Sequence, residues 1–205
     1  MADKIYTTEA KIAAYLGGIT IVTGAAASFI LATQSLIEKF TGRSFKADSA
    51  ASARLFNGND RQALPIDECV EITKVEVGNN QWGDDFTEVV NAEGEIPGYY
   101  KLPNNYAAEN LPIKIIGLRS MIWIGGNANH RITAKWGFST AVPDDLSWAA
   151  TVLASGMYYF NRGAKTGAVK SEKTLNYSVS YAEDSGFNDY KQALEILDKY
   201  KKFEL

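Results

Sequence analysis

Apolar residues recur at three- and four-residue steps between Thr23 and Phe45, at Ala26, Phe29, Ile30, Thr33, Leu36, Ile37 and Phe40. Gln34, Ser35, Glu38 and Lys39 lie off that stripe. The spacing predicts an amphipathic α-helix, started by Thr20 or Thr23 as a cap and stopped by Gly42 in a left-handed turn. Upstream, Thr7 or Thr8 caps a short helix over Ala10, Ile12, Ala13 and Leu16 that Gly17-Gly18 ends. At about ten residues it is too short to stand alone and must dock on its neighbour.

After Phe45 the period changes from helical to strand-like. Leu55-Phe56, the turn cluster Asn57-Gly58-Asn59-Asp60, Leu64-Pro65-Ile66, and Val70, Ile72, Val75 and Val77 predict a meander. Further strands are predicted at Phe86 to Val90, Tyr99 to Leu102, Ile113 to Leu118, Met121 to Ile124 and Arg131 to Trp136, with a long loop between Asn79 and Pro112. Short strands parted by Gly, Asn and Pro predict a small antiparallel sandwich or barrel.

The helical period returns at Pro143-Asp144-Asp145, whose carboxylates suit a helix start. Leu146, Ala149, Ala150, Leu153, Ala154, Met157 and Tyr158 form its apolar face, and the alanines allow close packing against the Thr23 helix. A polar stretch, GAKTGAVKSEK, reads as a flexible connection. Leu175, Tyr177, Val179 and Tyr181 then alternate with polar residues, a strand with no adjacent mate. Such a strand pairs with a distant edge of this chain or with an edge on another, and both remain open. A last helix follows from about Asn188, with Tyr190, Ala193, Leu194, Leu197 and Tyr200 on one side.

The fold class predicted is α+β: a small helical bundle with an inserted antiparallel β domain and a C-terminal strand-helix arm. Residues 1–50 and 142–170 form the helical part, 51–141 the insertion and 171–205 the arm, which reads as separable from the core.

With 46% apolar and 22% charged residues the chain has the composition of a folded protein rather than a disordered one. A net charge of −3 and a pI near 5.3 argue against a strong basic grip on nucleic acid. One cysteine, Cys69, forms no internal disulfide, and one histidine, His130, leaves no zinc cluster. MADKIYTTEA has no apolar signal region and no run of 18 apolar residues occurs, so a soluble, cytoplasmic product is expected.

Catalytic chemistry finds little support. His130 follows Gly125-Gly126-Asn127-Ala128-Asn129, read as a hairpin turn, and belongs to no nucleophile–base motif. Cys69 opens a strand as a packing residue. Asp84-Asp85 reads as a solvated loop and Asp144 as a cap, and neither pair converges on a site. No phosphate-cradling glycine motif occurs. Trp82, Trp123, Trp136 and Trp148 suit core and interface, with Trp82 in a Gly/Asp/Asn-rich loop the one expected at the surface. No enzyme activity, cofactor or metal is expected.

Three blocks carry a resemblance. In SFILATQSLIEKFTGRSF, Ile37, Glu38, Thr41, Gly42, Arg43 and Phe45 match an IE-x-x-TGR-x-F signature. Lys135-Trp136-Gly137-Phe138 followed by Val142-Pro143-Asp144-Asp145-Leu146 matches a W-G strand end before a P-x-D-L helix start. SEKTLNYSVSYAED, residues 171–184, with the terminal ILDKYKKF, matches an E-x-x-G-x-Y-S-V-x-Y strand and final helix, with Leu175 standing where glycine is usual. Together they resemble the head-to-tail connector (adaptor) family of long-tailed bacteriophages.

The resemblance implies a structural virion protein of the neck, assembled in the bacterial host cytoplasm. It would be a subunit of a dodecameric ring between the portal protein and the tail or a further neck protein, with DNA passing through the lumen and no membrane. It also implies that the C-terminal segment docks on the portal or a neighbouring subunit, through Leu175, Tyr177, Val179, Tyr181, Tyr200 and Phe203. An acidic chain suits such a conduit, because phosphates are not trapped by like charge. The alternative is a β module that binds carbohydrate or another surface ligand through Trp82 and nearby aromatics.

Overall fold

The computed structural model describes residues 5–81, 85–90, 98–166, 171–174, 177–180 and 185–202, with backbone alone from 162 to 187. The chain is α+β and divides into two units, one of residues 5–43 and 142–205 and the other of residues 44–141.

The helical unit is built round one buried helix. Helices α1 (Glu9–Tyr15), α2 (Ala27–Thr41) and α4 (Ser185–Lys199) each pack on α3 (Asp144–Thr166). Encirclement explains why α3 is buried on more than its predicted face. Leu146, Ala149, Ala150, Leu153 and Ala154 are covered, and so are Ser147, Thr151, Val152 and Ser155. Two of its buried hydroxyls are bonded to the segment before α1: Thr7 and Thr151 share a 2.7 Å contact, and Ser147 donates to the Tyr6 carbonyl at 2.9 Å. Small residues let neighbours approach closely. A Cβ on Gly156 would collide with the Tyr190 ring and hydroxyl of α4.

Helix starts and stops follow local chemistry. Thr8 caps α1, accepting from the Lys11 N–H. Neither Thr20 nor Thr23 caps α2, which begins after Ala26 without a side-chain cap of its own. The Glu9 carboxylate of α1 accepts from the Gly24 and Ala26 N–H groups instead, so one short helix supplies the acceptors its neighbour lacks. At the far end Gly42 is left-handed (φ 67°) and its N–H reaches the Glu38 carbonyl, as the sequence predicts. The α2 stripe is narrower than expected. Ala26, Ile30, Thr33, Ile37 and Thr41 are buried, whereas Leu36 and Phe40 are exposed.

Among the described residues the β unit holds a six-stranded sheet. Its strands are β1 (Ser52–Gly58), β2 (Ala63–Gly78), β3 (Phe86–Glu88), β4 (Tyr99–Leu102), β5 (Ile113–Leu118) and β6 (Gly126–Trp136), ordered β1-β6-β2-β5-β4 with β3 beside β2, and every pair is antiparallel. The predicted meander is overturned, because β6 lies between β1 and β2. Residues 64–77, read as separate short runs, form one long strand whose first half pairs with β5 and second half with β6, with register shifts between. Within the stretch from Asn79 to Pro112, the strands predicted from Phe86 and from Tyr99 are β3 and β4. Met121 to Ile124 is not a strand. Trp123 alone turns inward, its indole N–H donating to the Gln62 and Ile116 carbonyls at 3.1 Å, while Met121, Ile122 and Ile124 stay exposed.

Two of the sequence blocks meet in this unit. The segment after Arg43 runs beside the end of β6, with Phe138 donating to the Ser44 carbonyl, Ala47 to that of Ser139 and Asp48 to that of Trp136, each at 2.8 Å. Phe45 is fully buried, 5.6 Å ring to ring from Phe138. The phenylalanines of the TGR-x-F and W-G-F blocks are therefore one packing pair.

Candidate assembly interface

The strand predicted without a mate has one. β7 (Ser171–Thr174) and β8 (Tyr177–Ser180) pair antiparallel, with Glu172 opposite Val179 and Thr174 opposite Tyr177. The polar stretch read as a flexible connection supplies β7. Charged and hydroxyl side chains hid it, because strand alternation is legible only where one face is apolar. Among the described residues the hairpin pairs with no other strand.

Of the six residues assigned to partner contact, Tyr177 and Val179 fall in β8, at ladder positions of like parity. Leu175, Tyr181 and Phe203 lie outside the described residues. Tyr200 is half-buried at the end of α4, its hydroxyl donating to the Asp145 carboxylate at 3.0 Å. Burial and that carboxylate push the phenol up to about 12, so it stays a donor through the physiological range. The structure thus ties Tyr200 back to the start of α3.

α4 is no free arm. Ala193 and Leu197 are completely buried, while Leu194 and Tyr190 of the same predicted face are partly exposed. The Lys202 N–H closes on the Thr41 carbonyl beside Gly42, and the Lys201 ammonium sits 5.3 Å over the Phe40 ring. The end of the chain therefore packs on the TGR turn.

Exposed apolar surface that the periodicity did not single out lies elsewhere on the helical unit. Val22, Leu31, Tyr159 and Phe160 are each more than 60% exposed. An open groove of about 650 Å³ runs between Phe29 and Tyr158, whose rings meet edge to face, and is lined also by Val22, Ala25 and Asn161. Leu31 falls off the predicted α2 stripe and Phe160 beyond the predicted α3 face, which was the available signal.

No reactive constellation forms among the described residues. His130 is buried within β6, which also takes in Gly126 to Asn129, read as a turn before it; its Nδ1 accepts from the Gly78 N–H at 3.2 Å and its Nε2–H donates to the Ile124 carbonyl at 3.0 Å. Both ring nitrogens are thereby used, and burial holds the imidazole below its ordinary pKa of 6.5. Protonation would set a new N–H against the Gly78 donor. The unfolded chain then binds the extra proton first, so the stability of the β unit is expected to fall as pH drops below about 6.5. Urea melts between pH 8 and 5 check this; a flat profile across that interval contradicts it.

Burial pushes the Cys69 thiol up to about 12, leaving it inert. Asp145, not Asp144, bonds the first turn of α3, through the Leu146 N–H at 2.8 Å. On the sheet Glu76 takes two 2.7 Å bonds from Arg131, which with Lys74 hold its carboxyl down at about 2, a structural ion pair. No group of acidic, histidine and cysteine residues suited to a metal occurs among the described residues, and no helix there is long and apolar enough to cross a membrane. Trp123 and Trp136 are core residues and Trp148 is half-buried, while Trp82, on which the carbohydrate alternative rests, lies outside the described residues.

Comparison with solved structures bears on the fold. A chain described as the neck of an empty gene transfer agent (GTA) particle, computed with C6 symmetry, superposes with a TM-score of 0.54 at 17% identity, over 96% of this chain and 89% of that one. The fold is that of a GTA neck chain. The resemblance drawn from the three sequence blocks is consistent with it. Also similar are a chain of the native GTA virion (TM-score 0.49, 18% identity, 92% and 82% covered) and one of the native neck computed with C12 symmetry (0.47, 18%, 89% and 84%). No protein-family model and no curated protein matches the sequence.

The residues of the blocks have structural work in this neck fold. Ile37 is buried, Glu38 accepts from the Tyr6 hydroxyl at 2.6 Å, Thr41 bonds the Ile37 carbonyl, Gly42 makes the left-handed stop and Phe45 packs on Phe138.

Proposed function

We propose that the protein is a structural, non-enzymatic head-to-tail adaptor of a tailed phage or phage-like particle. It assembles as a homo-oligomeric ring in the virion neck, between portal and tail, with the genome passing through its lumen. The observation that carries the reading is the neck fold shared along 96% of the chain. It is joined by the meeting of two signature blocks at Phe45 and Phe138. In this reading the helices around α3 form the bundle, the β unit is an insertion in its sequence, and residues 171–184 reach the partner while α4 stays with the helices. Closed cyclic symmetry requires two different faces on each subunit, which exposed apolar residues on the helical unit and unpaired strand edges supply.

Mass photometry of the protein, alone and mixed with the portal ring of the same particle, tests it. A closed oligomer of one size is expected in at least the mixture. A monomer under both conditions overturns the reading.

A further inference from the structure

Strand edges in folded proteins are blunted or covered, because a free row of N–H and C=O groups recruits other chains. The sheet of the β unit guards its edges unequally. At one end β4 is four residues long and is followed by Pro103, which has no N–H to offer; β3 has only three residues. At the other end β1 pairs with β6 residue by residue from Ser52 to Phe56 without irregularity. Its outer side carries no strand among the described residues. The strand contains neither proline nor lysine, and Ser52, Ala53, Arg54 and Leu55 are all exposed.

The β7–β8 hairpin has the converse problem. Two strands of four residues form a marginal sheet by themselves, and this pair finds no third strand among the described residues. We infer that β8 of one copy adds to the free edge of β1 on a second copy. β8 is the donor rather than β7 because Tyr177 and Val179 match the apolar Ala53 and Leu55, whereas β7 carries Glu172 and Lys173. Four donor residues fit within the five regular residues of the acceptor. Donor and acceptor are different surfaces, so every copy gives one strand and receives one, and no edge is left over only when the chain of copies closes. The inference rests on the ring reading above and names the contact that closes it.

Engineered cysteines test it. Leu55→Cys and Val179→Cys variants are made singly and together, with Ala53→Cys as a second acceptor two residues along the same face. Cys69 remains, being buried and inert. After mild oxidation an equimolar mixture of donor and acceptor variants should give a covalent dimer that neither gives alone, and the double variant a ladder ending at the size of the ring. Oxidation of the double variant to a closed monomer overturns the inference. So does a ring, established by mass in the same sample, that cross-links at neither acceptor position; that result leaves the ring reading standing. Absence of any oligomer, with the portal ring of the same particle also present, removes both.

Discussion

Replacing Leu197 with alanine is expected to destabilise the helical unit by about 2–5 kcal/mol, the usual cost of truncating a buried leucine where the surroundings collapse only partly. Leu197 is fully buried on the inner face of α4, one turn from the equally buried Ala193, at a helix pair whose close approach depends on Gly156. Leu194, on the same helix but nearly half exposed, is the internal control. Its alanine variant should stay within about 0.5 kcal/mol of the parent. Denaturant melts followed by far-ultraviolet circular dichroism, which reports mainly the helices, separate the two. If Leu197→Ala melts like the parent, α4 contributes nothing to the core. The terminal residues would then be the separable arm that the sequence pattern implies. The buried pair Ala193 and Leu197 predicts the opposite, and with it that removing residues 185–205 unfolds the helical unit instead of merely uncoupling it from a partner.

What the pattern conveyed and what it hid follow from the range of the forces involved. Helix ends set by neighbours in sequence were legible: Thr8 and Gly42 act within a few residues of themselves. The start of α2 was not, because its acceptor is Glu9, on a different helix, and no local motif announces a cap supplied from elsewhere. Strand positions such as Tyr99–Leu102 and Ile113–Leu118 were readable from apolar content. Strand order was not, since nothing local tells β1 to accept β6 in place of its successor. β7 escaped notice for want of an apolar face. Of the proposed contact, the strand at Tyr177 and Val179 was marked by its alternation, whereas the open side of β1 is a property of sheet order and emerges only in three dimensions. Nor does a local pattern announce that Tyr200, an aromatic at the helical period, bonds a distant carboxylate.

Gly137→Ala is expected to destabilise the β unit by about 3 kcal/mol or more, because two costs add. The backbone there has φ +144°, a region open almost exclusively to glycine, and forcing another residue into it costs roughly 1–3 kcal/mol. A Cβ would also collide with the Cα and N of Ala47, backbone atoms that cannot swing aside as a flexible side chain would. Ala47 is fixed by its own bond to the Ser139 carbonyl, and the Gly137 N–H is engaged with the Glu68 carbonyl at 2.8 Å, so neither strand yields without breaking a bond. The collision would separate the segment after Arg43 from the end of β6 and prise Phe45 from Phe138. The same substitution at Gly18, also at positive φ but with open space around it, should cost less, because only the conformational term applies. Tryptophan fluorescence, to which the buried Trp123 and Trp136 of the β unit contribute, follows the loss. An alanine variant at position 137 as stable as the parent would mean that the crossing of these two backbones is not where this unit is held together. The pairing of the two signature blocks would then lose its structural explanation.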